Sequence, residues 1–379
     1  MYVPFFKPNI SDKVIENVTD ALKSGWLTTG KYTQEFEQAF SQYKNGAYCV
    51  GLTSCTAALH LAMIALDLPK EAEVIVPTLT FPSTATMALH SGLRVVFAEI
   101  DPNTLTICPQ DVERKITPKT KAIIAVHLAG NMCDMQALTD IAQKHDLLLI
   151  EDCAHAIEST YQGYTSGTIG DVGAFSFYAT KNLTTAEGGM LVTKNAELAY
   201  KVRLLRSHGI DKEIWKRRQS TAYQQYDVLY PGFKYNMFDL QAAMGIAQLQ
   251  SLSQNYLKRK ALYENYVKAF CDDSRFELVS IQPNSTHAYH LFILKLNLEV
   301  IPYTRDMLMF KLKERGIETS VHFFPVPLYS YYKQTFGYTE KDFAVSYQTY
   351  LRLISLPLYP DLSVEAQQYV IDTLKAILS

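Results

Sequence analysis

The chain is 379 residues long and carries 36 Lys and Arg against 38 Asp and Glu, a net charge of -2. That balance excludes a basic nucleic-acid binder and a polybasic membrane-surface protein, and an aromatic content of 12% excludes a disordered chain. The length predicts two domains, each able to bury a core. Cys49, Cys55, Cys108, Cys133, Cys153 and Cys271 form no C-x-x-C pair, which sets aside zinc knuckles and thioredoxin-type motifs and fits a reducing compartment. No run reaches ~18 apolar residues, and the first residues lack a signal-peptide core. The expectation is a soluble cytoplasmic protein with no nucleic-acid or membrane partner.

In chain order, Val14, Ile15, Val18, Ala21 and Leu22 recur at helical spacing and stop at Gly25. Phe36, Ala39, Phe40 and Tyr43 make a second stripe. Tyr48 to Leu52 reads as a short strand that feeds a helix from Thr56 to Leu66. Val74 to Val76, Val95 to Phe97, Ala122 to Val126 and Leu147 to Ile150 are continuous apolar runs, as expected of strands covered on both faces. Helical patterns near 83–91, 110–115 and 134–144 lie between them. Such alternation specifies an α/β domain with a mostly parallel sheet, here assigned to residues 1–250. A long helical pattern from Leu249 to Phe270 then leads into mixed elements: His290 to Lys295, Thr304 to Arg315 and Val364 to Leu378. Residues 251–379 therefore read as a smaller α+β domain, joined to the first by the long helix.

Ligands of open α/β sheets bind beyond the carboxyl ends of the strands. Leu147 to Ile150 runs into Glu151-Asp152-Cys153-Ala154-His155, where carboxylates at a buried strand end need a positive partner. Ala174 to Tyr178 reads as a strand that leads to Thr180-Lys181-Asn182, and the glycines of Glu187-Gly188-Gly189 allow close approach of a ligand. A desolvated lysine becomes a nucleophilic amine. Thr53-Ser54-Cys55-Thr56-Ala57 is a strand-to-helix turn whose hydroxyls and free N–H groups can cradle an anion. Taken singly, these are a capped strand end, a loop lysine and a capped helix. Together they supply an acid, an amine and a phosphate cup, the parts pyridoxal 5′-phosphate (PLP) requires. No G-x-G-x-x-G follows a strand and no G-x-x-x-x-G-K-[ST] exists, so dinucleotide and P-loop readings fail.

The motifs, in order, resemble the nucleotide-sugar aminotransferases of the DegT/StrS family, a branch of fold-type I PLP enzymes. They are Trp26-Leu27-Thr28-Thr29-Gly30, Val76-Pro77-Thr78-Leu79-Thr80-Phe81, His127-Leu128-Ala129-Gly130, Glu151-Asp152-Cys153-Ala154-His155-Ala156, Phe175-Ser176-Phe177-Tyr178-Ala179-Thr180-Lys181-Asn182, Arg206-Ser207-His208-Gly209, Tyr235-Asn236-Met237-Phe238-Asp239 and Leu356-Pro357-Leu358-Tyr359-Pro360. The resemblance implies a three-layer α/β/α large domain with a mixed, mostly parallel sheet. It implies that Lys181 binds the cofactor covalently, that Asp152 pairs with its ring nitrogen, and that Phe81 and Ala154 flank the ring. Ser54, Cys55, Thr56, Ala57 and Ser176 are implied around the phosphate, and His155 beside the ring hydroxyl. Asn236 is implied to reach the cofactor of a neighbouring subunit, making a homodimer with shared sites. No metal is implied.

By the same resemblance, glutamate donates an amino group to the keto carbon of a nucleotide-diphosphate keto sugar by ping-pong kinetics, with Lys181 moving the proton. Trp26, Thr28, Thr29, Gly30, Arg217, Arg218 and His322 are expected substrate contacts. His155, in place of the glutamine of many C3-aminating members, implies amination at C4. A sugar dehydratase of the same fold has histidine in place of the lysine, so Lys181 opposes that reading; a non-catalytic regulator is opposed by the intact Lys181–Asp152 pair. Two positions depart from the family pattern, since Cys55 and Glu158 stand where many members have glycine.

Overall fold

The computed structural model describes residues 1–211 and 225–378. Its central strands are β1 (Tyr48–Leu52), β2 (Glu73–Pro77), β3 (Arg94–Ala98), β4 (Thr120–Val126) and β5 (Leu148–Asp152). A hairpin, β6 (Thr160–Tyr161) and β7 (Tyr164–Thr165), precedes β8 (Val172–Ser176) and β9 (Gly189–Thr193). The main sheet has seven strands in the order β1-β9-β8-β5-β4-β2-β3. β9 is antiparallel to both its neighbours, and the remaining pairings are parallel.

The apolar runs divide their side chains between two cores. Val74, Val76, Ile124 and Ile150 pack on the side of helix Cys55–Ala65. Ile75, Ile123 and Leu149 pack on the other side, against helix Met135–Lys144. Successive strand residues point to opposite faces, so continuous apolar sequence is the mark of this double cover.

Helix Asp239–Phe270 starts ten residues earlier than the apolar periodicity indicates. Its first turns are lined by small residues, with Ala242, Ala243 and Ala247 buried. At Gly245 a β-carbon would lie 2.7 Å from the Phe36 ring. The helix continues through residue 250, and we propose that it is the connector between the two domains. Beyond it, β10 (Phe276–Leu278), β12 (Phe292–Leu296) and β13 (Leu353–Leu356) form an antiparallel sheet in the order β10-β12-β13, while β11 (Ser285–Thr286) pairs with β6. The N-terminal segment joins this second unit through a Val3–Ile317 bridge. Among the described residues, no helix is long and apolar enough to cross a membrane.

A buried carboxylate fixes the end of β5. Glu151 accepts from the N–H groups of Gly167, Ile169 and Gly170, each at 2.8 Å, and lies 3.0 Å from His127 Nε2. Burial pushes its carboxyl up, but His127 and the backbone donors outweigh that and hold it below the usual range. Its stabilisation is therefore complete above the ordinary carboxylate range and is lost as pH falls through the lower folded value. Glu151→Gln turns an NH2 group toward two donors. It is expected to lower the thermal unfolding temperature by about 5 °C or more at neutral pH, with a smaller difference from wild type in acid. Equal melting temperatures at pH 7 would refute the role assigned to Glu151.

Candidate functional site

β1, β4, β5 and β8 end at one edge of the sheet, and β9, reversed, begins there. This edge collects Ser54 after β1, Val126 from β4, Asp152 from β5 and Ser176 from β8. Lys181 lies in the segment between β8 and β9. That segment is tied down by Phe177 N–H to Gly188 O and Thr185 N–H to Phe177 O, each 2.9 Å. The chain passes very close behind the turn after β1: a β-carbon on Gly189 would sit 2.3 Å from the Ser54 carbonyl carbon and 2.6 Å from Cys55 N. Only glycine allows that approach.

Over this edge lies a cavity of about 520 Å³, within the usual range for small-molecule sites. The sheet side contributes Ser54, Cys55, Thr56, Asp152, Ala154, His155, Ser176 and Lys181. The second unit and N-terminal segment close the other side with Phe5, Phe6, His290, His322, Phe323 and Leu358. Phe81 also lines it and remains 57% exposed. Ser54 caps helix Cys55–Ala65, its Oγ accepting from Ala57 N–H at 3.0 Å. Cys55 has no left-handed backbone, so its side chain is accommodated where many members have glycine.

Asp152 Oδ2 accepts from Thr84 Oγ1 at 2.9 Å, and Oδ1 accepts from Ala154 N–H at 3.1 Å. Burial pushes its carboxyl above the usual range, while Ala154 N–H, the Thr84 hydroxyl and Lys181 pull it back. Burial also lowers Lys181 from its ordinary 10.5 to about 8, against the opposing pull of the Asp152 carboxylate. Among the described residues its Nζ has no hydrogen-bond partner. Burial holds His155 and His290 well below the usual imidazole value and His322 at about 3, with Lys181 nearby lowering all three further.

Other expected residues lie elsewhere. Ala57 does not line the cavity, its N–H being engaged by Ser54. Trp26, Thr28, Thr29, Gly30 and Asn236 form a separate cluster at the start of helix Asp239–Phe270. Trp26 Nε1 donates to Thr29 O at 3.0 Å, Asn236 Nδ2 to Thr29 Oγ1 at 2.7 Å, and Gly30 N to Asp239 Oδ1 at 2.8 Å. Arg217 and Arg218 lie outside the described residues. Thr84 and His290 were absent from the sequence expectations. Thr84 is one hydroxyl in a stretch rich in them, and His290 reads simply as the first residue of a strand.

The cavity fits PLP. An amine without a partner, a carboxyl beside it and a capped helix N-terminus line one space, as an aldehyde, a ring nitrogen and a phosphate require.

Residues 8–375 match the DegT/DnrJ/EryC1/StrS aminotransferase family. The chain is 43% identical over 378 residues to the spore coat polysaccharide biosynthesis protein SpsC of Bacillus subtilis (strain 168), covering 100% of this chain and 97% of that protein. Its fold matches Spr1654 of Streptococcus pneumoniae, assigned as a sugar aminotransferase. In the PMP form of Spr1654 the TM-score is 0.92 at 33% identity, over 99% of this chain and 98% of that one. A PLP form of the same protein also matches. Helicobacter pylori PseC, an aminotransferase involved in the biosynthesis of pseudoaminic acid, matches with a TM-score of 0.93 at 27% identity, over 100% and 99% of the two chains.

An amine captures an aldehyde only when neutral. The rate at which cofactor-free protein takes up PLP, followed by visible absorbance, is expected to rise with pH, with a midpoint near the Lys181 value of about 8. Asp152→Asn removes an attraction that favours the ammonium, so it should move that midpoint down. A wild-type midpoint at the ordinary lysine value would contradict the dry setting of Lys181.

Proposed function

We infer the reaction from the premise that this chain belongs to the DegT/DnrJ/EryC1/StrS aminotransferase family. Its class is a sugar aminotransferase that uses PLP. Within that class, we propose that it moves an amino group from glutamate to C4 of a nucleotide-linked keto-deoxy sugar, in two half-reactions on one site. The observation that carries this reading is Lys181, an amine brought to about 8 by burial, facing the same cavity as Asp152.

The cofactor, when bound, supplies an electron sink and carries the amino group between the half-reactions. The chain supplies binding and proton movement. With the cofactor in place, Lys181 Nζ would be the general base for the donor's α-carbon proton and the general acid that delivers one to the sugar carbon. A pKa near 8 keeps both of its forms populated near neutrality. Asp152 would face the ring nitrogen, where its raised proton affinity would suit a shared proton. Ser54, Cys55, Thr56 and Ser176 would hold the phosphate at the helix N-terminus, with Ala57 behind them, its N–H taken by Ser54 Oγ. Phe81 and Ala154 would flank the ring, and His155 would meet its hydroxyl side.

Asn236, with Lys234 Nζ 2.6 Å from its Oδ1, is assigned to the cofactor of a neighbouring subunit in a cytoplasmic homodimer. Trp26, Thr28, Thr29, Gly30, Arg217, Arg218 and His322 are assigned to the substrates. The 43% identity to a spore coat polysaccharide biosynthesis protein supports a product destined for a surface polysaccharide.

Glutamate should bleach the visible band of the PLP-loaded enzyme, and a panel of uridine- and thymidine-linked 3-keto and 4-keto sugars should restore it only with 4-keto compounds. Lys181→Ala is expected to lose about 10³-fold or more in turnover. Amination at C3 alone would overturn the assigned position, and full turnover by Lys181→Ala would overturn the mechanism.

A further inference from the structure

His155 and His290 line the cavity with ring centroids 4.4 Å apart, and they carry opposite hydrogen-bonding requirements. His155 Nδ1 accepts from Ala129 N–H at 3.2 Å, aimed there by a left-handed Ala129 with φ of 62°. A neutral imidazole that accepts at Nδ1 carries its proton on Nε2. His290 is arranged the other way. Its Nδ1 lies 3.0 Å from Asn182 Oδ1. The orientation of the Asn182 amide is set independently, because its Nδ2 donates at 2.9 Å to both Glu158 Oε2 and Ala288 O, which only accept. Glu158 is held in turn by Arg259, and both side chains of that ion pair are almost fully buried. His290 must therefore donate from Nδ1, which leaves Nε2 as a bare acceptor. Among the described residues neither ring's Nε2 has a partner.

We propose that His290 Nε2 is the cavity's acceptor for a hydroxyl of the keto sugar, and that Arg259, Glu158 and Asn182 are positioning residues that hold it in that tautomer. The assignment rests on reading the cavity as a sugar-aminotransferase site. A bare acceptor repels the carboxylates of an amino-acid donor and accepts the hydroxyls that a sugar carries. His155, presenting Nε2–H, is the complementary donor on the same wall. Burial keeps both rings neutral, so the two roles persist near neutrality. Glu158, which departs from the glycine of many relatives, gains a reason: a glycine there would leave the Ala288 carbonyl alone to orient the Asn182 amide.

Two-bond 1H–15N correlation spectra of the labelled enzyme, with and without PLP, read the tautomers directly, the His290 signals being assigned by their loss in His290→Asn. The expected pattern is Nε2–H for His155 and Nδ1–H for His290. Glu158→Gln puts an amide where one of the two fixed acceptors stood and should raise the share of His290 found as Nε2–H. His290→Asn loses the acceptor, and kcat/KM of the keto-sugar half-reaction should fall about tenfold relative to the glutamate half-reaction. His290→Gln places an amide oxygen near the lost Nε2 and should recover part of it.

A wild-type His290 found as Nε2–H overturns the proposal, whatever the enzyme's substrate. Equal loss in both half-reactions, without recovery by His290→Gln, overturns it as well. Should Glu158→Gln fail to fold, the wild-type tautomers and the His290 pair still decide. A wild-type enzyme that transfers no amino group to any keto sugar overturns the parent reading and the sugar assignment together. That failure is distinguishable because the tautomers are still found as stated.

Discussion

Lys181 and Asp152 share one dry edge of the central sheet, where an isolated charge costs several kcal/mol to hold. Much of the site's construction answers that cost. Thr84 and the Ala154 amide supply hydrogen bonds to the carboxyl. The Cys55 thiol, whose titration burial pushes well up, stays neutral 3.8 Å from Asp152 Oδ1 and adds bulk without a second charge. The three histidines in the wall are kept uncharged by burial and by Lys181. Among the described residues the amine has no hydrogen-bond partner, and burial favours its neutral form, the form that attacks a carbonyl.

Most of the sheet was legible because its signal is local. Val74 to Val76, Ala122 to Val126 and Tyr48 to Leu52 are apolar over their whole length and fall within or on the observed strands. Strand order was not legible, since nothing in Gly189–Thr193 states that it runs against its neighbours. The first ten residues of helix Asp239–Phe270 escaped because close packing on Phe36 requires small side chains, which carry little periodic hydrophobicity. The hairpin of β6 and β7 has two residues per strand, too few for alternation to register.

Within the site, residues that follow a strand directly were readable: Asp152, Ser54 and Ser176 each sit at such an end. Lys181 was readable from its small flanking residues. Side chains that act through distant partners were not. Glu158 meets Arg259 across 101 positions, and Asn182 meets His290 across 108. Such pairs exist only once the two units have packed. Asn236, Thr28 and Thr29 came from family resemblance, and in this chain they bind one another rather than the cavity.

The reversed strand also has a kinetic side. Among the described pairings, β1 joins the sheet solely through β9, about 140 residues further along the chain. The turn that begins helix Cys55–Ala65 is therefore synthesised early and seated late. A nascent chain can assemble β3, β2, β4 and β5 side by side before β9 has emerged, and β1 joins the sheet only when β9 arrives. Lys181 emerges immediately ahead of β9, so the amine and the anion cradle enter the fold in the same step. Until β9 pairs, β1 and the turn that follows it have no strand of the main sheet to join.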